Sequence, residues 1–220
     1  MNRFGAGRLA PVLVCALAVS AQARDLQAVV TDAQGAPVAD AVVYVHAPGQ
    51  LGKTKGQGQA TVAVMDQRDK EFVPHVLAVR RGSEVSFPNS DNIQHHLYSF
   101  SGVKKFEVPL YKNGARPKVR FDEAGVAPLG CNIHDWMLGY IYVADSPWLG
   151  KTGADGRVTL AGVGPDKGEL RVWHPRLKGE EVRAAFALAD AVVPVRVMLK
   201  PERRKPRPAV YDANAFSAFN

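Results

Sequence analysis

A chain of 220 residues is long enough for one or two modest domains with buried cores, and 46% hydrophobic with 22% charged residues is ordinary for a soluble globular protein. The formal charge of +7 is concentrated near the C-terminus, in Arg203-Arg204-Lys205 and Arg207. No basic stripe interleaved with stacking aromatics crosses the body, which argues against a nucleic-acid partner and leaves an acidic partner or an anionic surface.

In chain order, residues 1–23 read as a signal peptide. Arg3 and Arg8 give a basic start, Leu9 to Val19 an apolar run, and Ala21-Gln22-Ala23 a small-x-small cleavage pattern. The run is shorter than the roughly 20 residues of a membrane span, so no transmembrane segment is expected after processing. Export, into the periplasm, removes Cys15 and leaves Cys131 as the single thiol of the mature chain. In an oxidising compartment a thiol without a partner is buried and inert, reactive, or held by a metal.

The rest reads as all-β, with short Val-, Tyr-, Phe- and Leu-rich runs between Gly, Pro, Asn and Asp clusters. Strands are expected at Val42–Val45, Val76–Val79, Glu84–Phe87, Ile93–Phe100, Lys118–Phe121, Tyr140–Val143, Val158–Leu160 and Leu170–Trp173. Such short strands and frequent turns indicate sandwiches or barrels. Residues 24–60 and 147–200 look like separated halves of one accessory sandwich. Their turns are Asp32-Ala33-Gln34-Gly35 and Ala154-Asp155-Gly156-Arg157. Residues 61–146 form a unit between them. Residues 201–220 form a basic, Pro-rich, solvated tail expected to be disordered.

The strongest chemical signal is Cys131-Asn132-Ile133-His134-Asp135-Trp136-Met137. A thiolate, an imidazole and a thioether at three-residue intervals suit a tight loop that folds all three onto one ion. Soft sulfur ligands stabilise Cu(I), while imidazole serves both oxidation states of copper. Zinc accepts Cys and His but has little use for Met. A second imidazole comes from Ile93-Gln94-His95-His96-Leu97-Tyr98. Strand alternation places His95 with Ile93 and Leu97, facing the interior, and His96 on the other face. His46, His75 and His174 have no companion cluster and read as structural.

The segment Phe72 to Val143 resembles the cupredoxins, in the plastocyanin and amicyanin branch. The likeness rests on the Cys-x₂-His-x₂-Met loop, "F-V-P-H-V-L-A-V-R-R-G-S-E-V-S-F-P-N-S-D" and "M-L-G-Y-I-Y-V". The flanking halves resemble carboxypeptidase-regulatory-like sandwiches, and the whole chain is similar to proteins labelled methylamine-utilisation or plastocyanin-domain proteins. The resemblance implies a Greek-key cupredoxin β-sandwich inserted in, or packed on, the accessory sandwich.

It further implies one type 1 copper ion on His95, Cys131, His134 and Met137, with His96 and Asn132 in the surrounding hydrogen bonds. His96 stands where many cupredoxins have an Asn tying the two ligand-bearing loops together. An apolar docking patch of Ile133, Trp136 and Leu138 would surround His134. The implied function is one-electron transfer, without catalysis, by a monomer meeting a redox donor and an acceptor transiently. Copper storage or delivery without redox turnover is the alternative.

Overall fold

The computed structural model describes residues 24–47, 49, 62–187, 189–190 and 192–202, and residues 1–23, expected to be a signal peptide, and nearly all of the basic tail lie outside them. All the regular structure among the described residues is β. The first two strands are β1 (Arg24–Thr31) and β2 (Val42–Val45). Next come β3 (Ala63–Val64), β4 (Asp66–Arg68), β5 (Glu71–Val73), β6 (Val76–Arg80) and β7 (Ser83–Ser86). β8 (His95–Phe100), β9 (Lys105–Tyr111), β10 (Lys118–Phe121), β11 (Gly125–Gly130) and β12 (Leu138–Ala144) follow. The chain then makes β13 (Leu149–Lys151), β14 (Arg157–Val163), β15 (Lys167–Trp173), β16 (Val182–Ala187) and β17 (Val193–Arg196).

Strands from the two ends of the chain share sheets. One sheet runs β14-β1-β17 and another β13-β2-β15-β16. Alternation along β1 sends Leu26, Ala28 and Val30 inward, where they meet Val43, Leu160, Leu170, Val172 and Phe186. The middle of the chain makes its own sheets, β6-β12-β11-β8-β9 and β10-β7-β3, with the β4–β5 hairpin beside them. Their side chains enclose a second core containing Met65, Phe72, Phe87, Leu97, Phe121, Leu129 and Ile141. A third cluster joins the two strand sets, with Val42 and Tyr44 from β2 against Val76, Tyr142 and Ala144.

Two features of the five-stranded sheet position the loop after β11. β11 lies between β12 and β8, and Gly130 pairs with both Leu138 and Tyr98. The end of β11 therefore emerges beside the start of the antiparallel β8, where His95 sits. Gly130 is required by close approach, since a Cβ there would lie 2.5 Å from Cζ of Tyr98. Pro128 is tolerated inside β11 because Tyr140 opposite it sends its N–H to the His75 carbonyl, so the pair exchanges no hydrogen bonds and the Pro128 nitrogen faces the β8 side, where β11 pairs only at Gly130.

Candidate metal centre

His95 opens β8 and is fully buried, 0% exposed, while Cys131 follows β11 and is 3% exposed. The loop from Cys131 to Met137 is closed by the Met137 N–H donating to the His134 carbonyl at 2.9 Å. This turn brings His134 back over the thiol. The Cys131 sulfur lies 3.9 Å from His95 Nδ1 and 3.6 Å from His134 Nδ1. The two Nδ1 atoms are 3.1 Å apart. Metal bonds of about 2.0–2.3 Å at roughly trigonal or tetrahedral angles put ligand atoms about 3–4 Å apart. The three donors have that spacing, and all lie within 4.8 Å of one another.

Met137 is 3% exposed and belongs to the same apolar cluster as Cys131. The set is therefore one buried thiol, two imidazoles converging through Nδ1, and a neighbouring buried thioether. These donors suit a soft or borderline ion that changes charge by one unit, and copper fits them.

The local electrostatics favour the deprotonated thiol. Burial pushes the Cys131 thiol up, but hydrogen bonding from His95 and from the backbone N–H groups of His96 and Ile133 outweighs it and holds the group below the ordinary thiol range. Burial pushes His95 down, yet the adjacent thiol and the Asp91 carboxylate leave it raised. His134 is lowered by burial and then by the positive charges of His95 and Lys70.

The other residues singled out in the sequence fall in distinct places. The His96 imidazole does not bridge to the Cys131 loop. Its Nε2 lies 2.8 Å from Glu107 Oε1 on β9, and only its backbone N–H turns to the thiol. The tie expected of that side chain is thus replaced by one to the sheet edge. Asn132 is exposed, as are Ile133 at 50% and Leu138 at 45%. Trp136 is half-buried, edge-on to the His134 ring with centroids 5.2 Å apart, and packs on the inner core. It is part of the wall around His134 as much as its surface. His75 and His174, read as isolated, both line a groove of about 1020 Å³ between the two strand sets, together with Cys131, Trp136 and Met137.

Asp91 is a residue that the sequence pattern alone does not mark. Its Oδ2 lies 2.7 Å from Nε2 of His95. The available signal was a carboxylate four residues before the buried histidine, in Asp91-Asn92-Ile93-Gln94-His95.

No protein-family model matches the chain, and no curated protein matches it. It is similar to solved structures of copper proteins. A Cu-containing nitrite reductase from Thermus scotoductus SA-01 has 24% identity and a TM-score of 0.37, over 40% of this chain and 23% of that one. This chain thus spans under a quarter of the reductase. A purple cupredoxin from Nitrosopumilus maritimus has 23% identity and a TM-score of 0.35, over 37% of this chain and 99% of its own. A reduced amicyanin variant has 20% identity and a TM-score of 0.36, over 46% and 98%.

Proposed function

We propose that this chain is an exported, periplasmic type 1 copper protein that carries one electron at a time. His95, Cys131 and His134 would form the principal ligand plane, with Met137 as the weaker fourth ligand. The observation that carries this reading is the convergence of one buried thiol and two Nδ1 atoms within 4.8 Å. Bound copper would supply reversible one-electron chemistry between Cu(I) and Cu(II). The protein's part is to hold the donors in a nearly fixed, water-poor setting, so that little rearrangement accompanies the change of charge.

Residues 61–146 would be the copper-binding unit, set within an accessory sandwich made of residues 24–60 and 147–200. The separate apolar clusters of the two strand sets support that division. Ile133 and Leu138, exposed beside His134, supply an apolar face for a transient redox partner. His134 would then be both ligand and exit for the electron.

Loading the mature protein with Cu(II) tests the reading. An intense thiolate-to-copper visible band and a reversible one-electron wave are expected. A colourless or redox-silent protein overturns it. Leu138→Lys should slow partner reduction and leave the visible band unchanged, whereas loss of colour would make Leu138 a packing residue.

A further inference from the structure

We propose that Asp91 is a positioning residue for the metal centre: its carboxylate fixes the tautomer of His95 that leaves Nδ1 free for the metal, and biases bound copper toward Cu(II). The second half rests on the copper reading above.

The argument begins with burial. His95 is 0% exposed, so water does not satisfy its ring nitrogens. Nε2 lies 2.7 Å from Asp91 Oδ2. An ionised carboxylate only accepts hydrogen bonds, so Nε2 must donate. When the ring gives up its second proton, as it must to ligate a metal, the bare nitrogen is Nδ1, which faces Cys131 and His134. The carboxylate therefore selects the ligating tautomer and aims it.

The carboxylate is itself held from outside the site. Its Oδ1 accepts the Asp69 N–H at 2.7 Å and its Oδ2 the Lys70 N–H at 2.9 Å. Asp69 and Lys70 form the turn of the β4–β5 hairpin, with φ of 54° and 60°. Two successive left-handed residues make a tight hairpin turn, here one whose adjacent N–H groups reach a single carboxylate. The Asp91 N–H donates to Asn89 Oδ1 at 3.0 Å, fixing the acid from its own side. A chain of hydrogen bonds thus runs from hairpin turn to acid to imidazole.

The consequence for copper follows from donor strength. A carboxylate bonded to the far side of a ligating imidazole raises its basicity. A stronger donor, with a negative charge one ring away, favours the more highly charged ion. The expected direction is a lower reduction potential than the same site would have without Asp91. A purely structural role, in which Asp91 only caps the hairpin turn, predicts altered stability with no change in tautomer or potential.

The experiment has two arms on the mature full-length chain. In the apoprotein, nitrogen-detected NMR at a pH where the His95 ring carries a single proton should show the Nε2–H tautomer, and an Nδ1–H tautomer overturns the proposal. In the second arm, copper-loaded wild type, Asp91→Asn and Asp91→Ala are compared by visible spectrum and voltammetry. Both variants should keep the charge-transfer band and show a raised potential. A tenfold fall in the Cu(II)-to-Cu(I) affinity ratio reads as a rise of about 59 mV. An unchanged potential in a folded, coloured variant overturns the redox half. A wild-type chain that takes no copper overturns the copper reading and that half together, while the apoprotein tautomer still decides the positioning half.

Discussion

The two buried clusters are made of different materials. The outer one, formed by strands from both ends of the chain, is mainly aliphatic, with Leu26, Val30, Val43, Leu160, Leu170 and Val172 at its centre and few buried polar groups beside them, Ser146 and Thr152 among these. The inner one mixes Phe72, Phe87, Phe121 and Met65 with buried polar groups, among them His95, Gln67, Asn89 and Ser99. Those polar groups are bonded to neighbouring side chains and to the backbone. Gln67 Nε2 bonds to the Tyr111 hydroxyl, which donates to the Phe87 carbonyl at 3.0 Å. Asn89 Nδ2 donates to the carbonyls of Ile93 at 2.9 Å and Tyr111 at 3.0 Å. An aliphatic core gains stability from area and packing, and tolerates volume-conserving exchange. A hydrogen-bonded core costs desolvation but fixes directions, and a metal site needs its donors aimed.

The sharpest way to test that contrast is to remove the thiol. Cys131→Ser is nearly isosteric, and Cys131 lies in the inner cluster alone. The variant should lose the copper band completely while the metal-free protein keeps its circular dichroism. Loss of the fold together with the band would make the thiol a structural group rather than a ligand.

Leu170→Ala addresses the other side. Leu170 is fully buried in β15 of the outer cluster. The truncation should destabilise the protein by about 2–5 kcal/mol, read from denaturant unfolding, with the position of the visible band unchanged. A displaced band would show that outer packing sets the geometry of the ligands.

The contrast also explains what the sequence revealed. Val42–Val45 and Lys118–Phe121 were readable with their bounds, because β-branched and aromatic runs there end at plain turn signals. β9 is hard to read because Pro109 interrupts the alternation of Lys105-Phe106-Glu107-Val108, a residue that argues against a central strand and suits one at the edge of the five-stranded sheet. β11 was hidden by Gly125, Pro128 and Gly130, residues that usually mark turns, whose presence depends on which neighbour each one faces. In the site, three donors within seven residues announce themselves, and alternation in β8 distinguishes His95 from His96. Asp91 does not, because its role depends on backbone groups at Asp69 and Lys70 that approach it only in the folded chain.

Asn89→Ala sits between the two kinds of core. The amide is 1% exposed and serves two carbonyls and the Asp91 N–H. Its loss leaves those groups unpaired and should cost about 1–3 kcal/mol. Unlike Leu170→Ala, it should also shift the visible band, since the segment it ties leads through Asp91 to His95. A pure stability loss would separate the polar network from the ligands.

The smallest effect is expected at the groove where the two strand sets meet. His174 is 8% exposed, and its Nδ1 accepts the Arg176 N–H at 3.1 Å. Burial, then the Arg176 charge, with a smaller push from His75, brings its pKa from the usual 6.5 down to about 4, against the opposing pull of Asp40 and Glu202. Between these values the unfolded chain binds a proton that the folded chain refuses. Stability therefore falls as pH drops from about 6.5 toward about 4 and is insensitive to this group at higher pH. At pH 5 the loss should be about 1–2 kcal/mol. Carboxylates titrate in the lower part of that window, so the informative quantity is a difference between two proteins. His174→Asn keeps an acceptor for Arg176 and removes the titration. Thermal unfolding at pH 7 and pH 5 should show a larger fall for wild type than for the variant. Equal falls would show that the His174 titration does not carry the pH sensitivity.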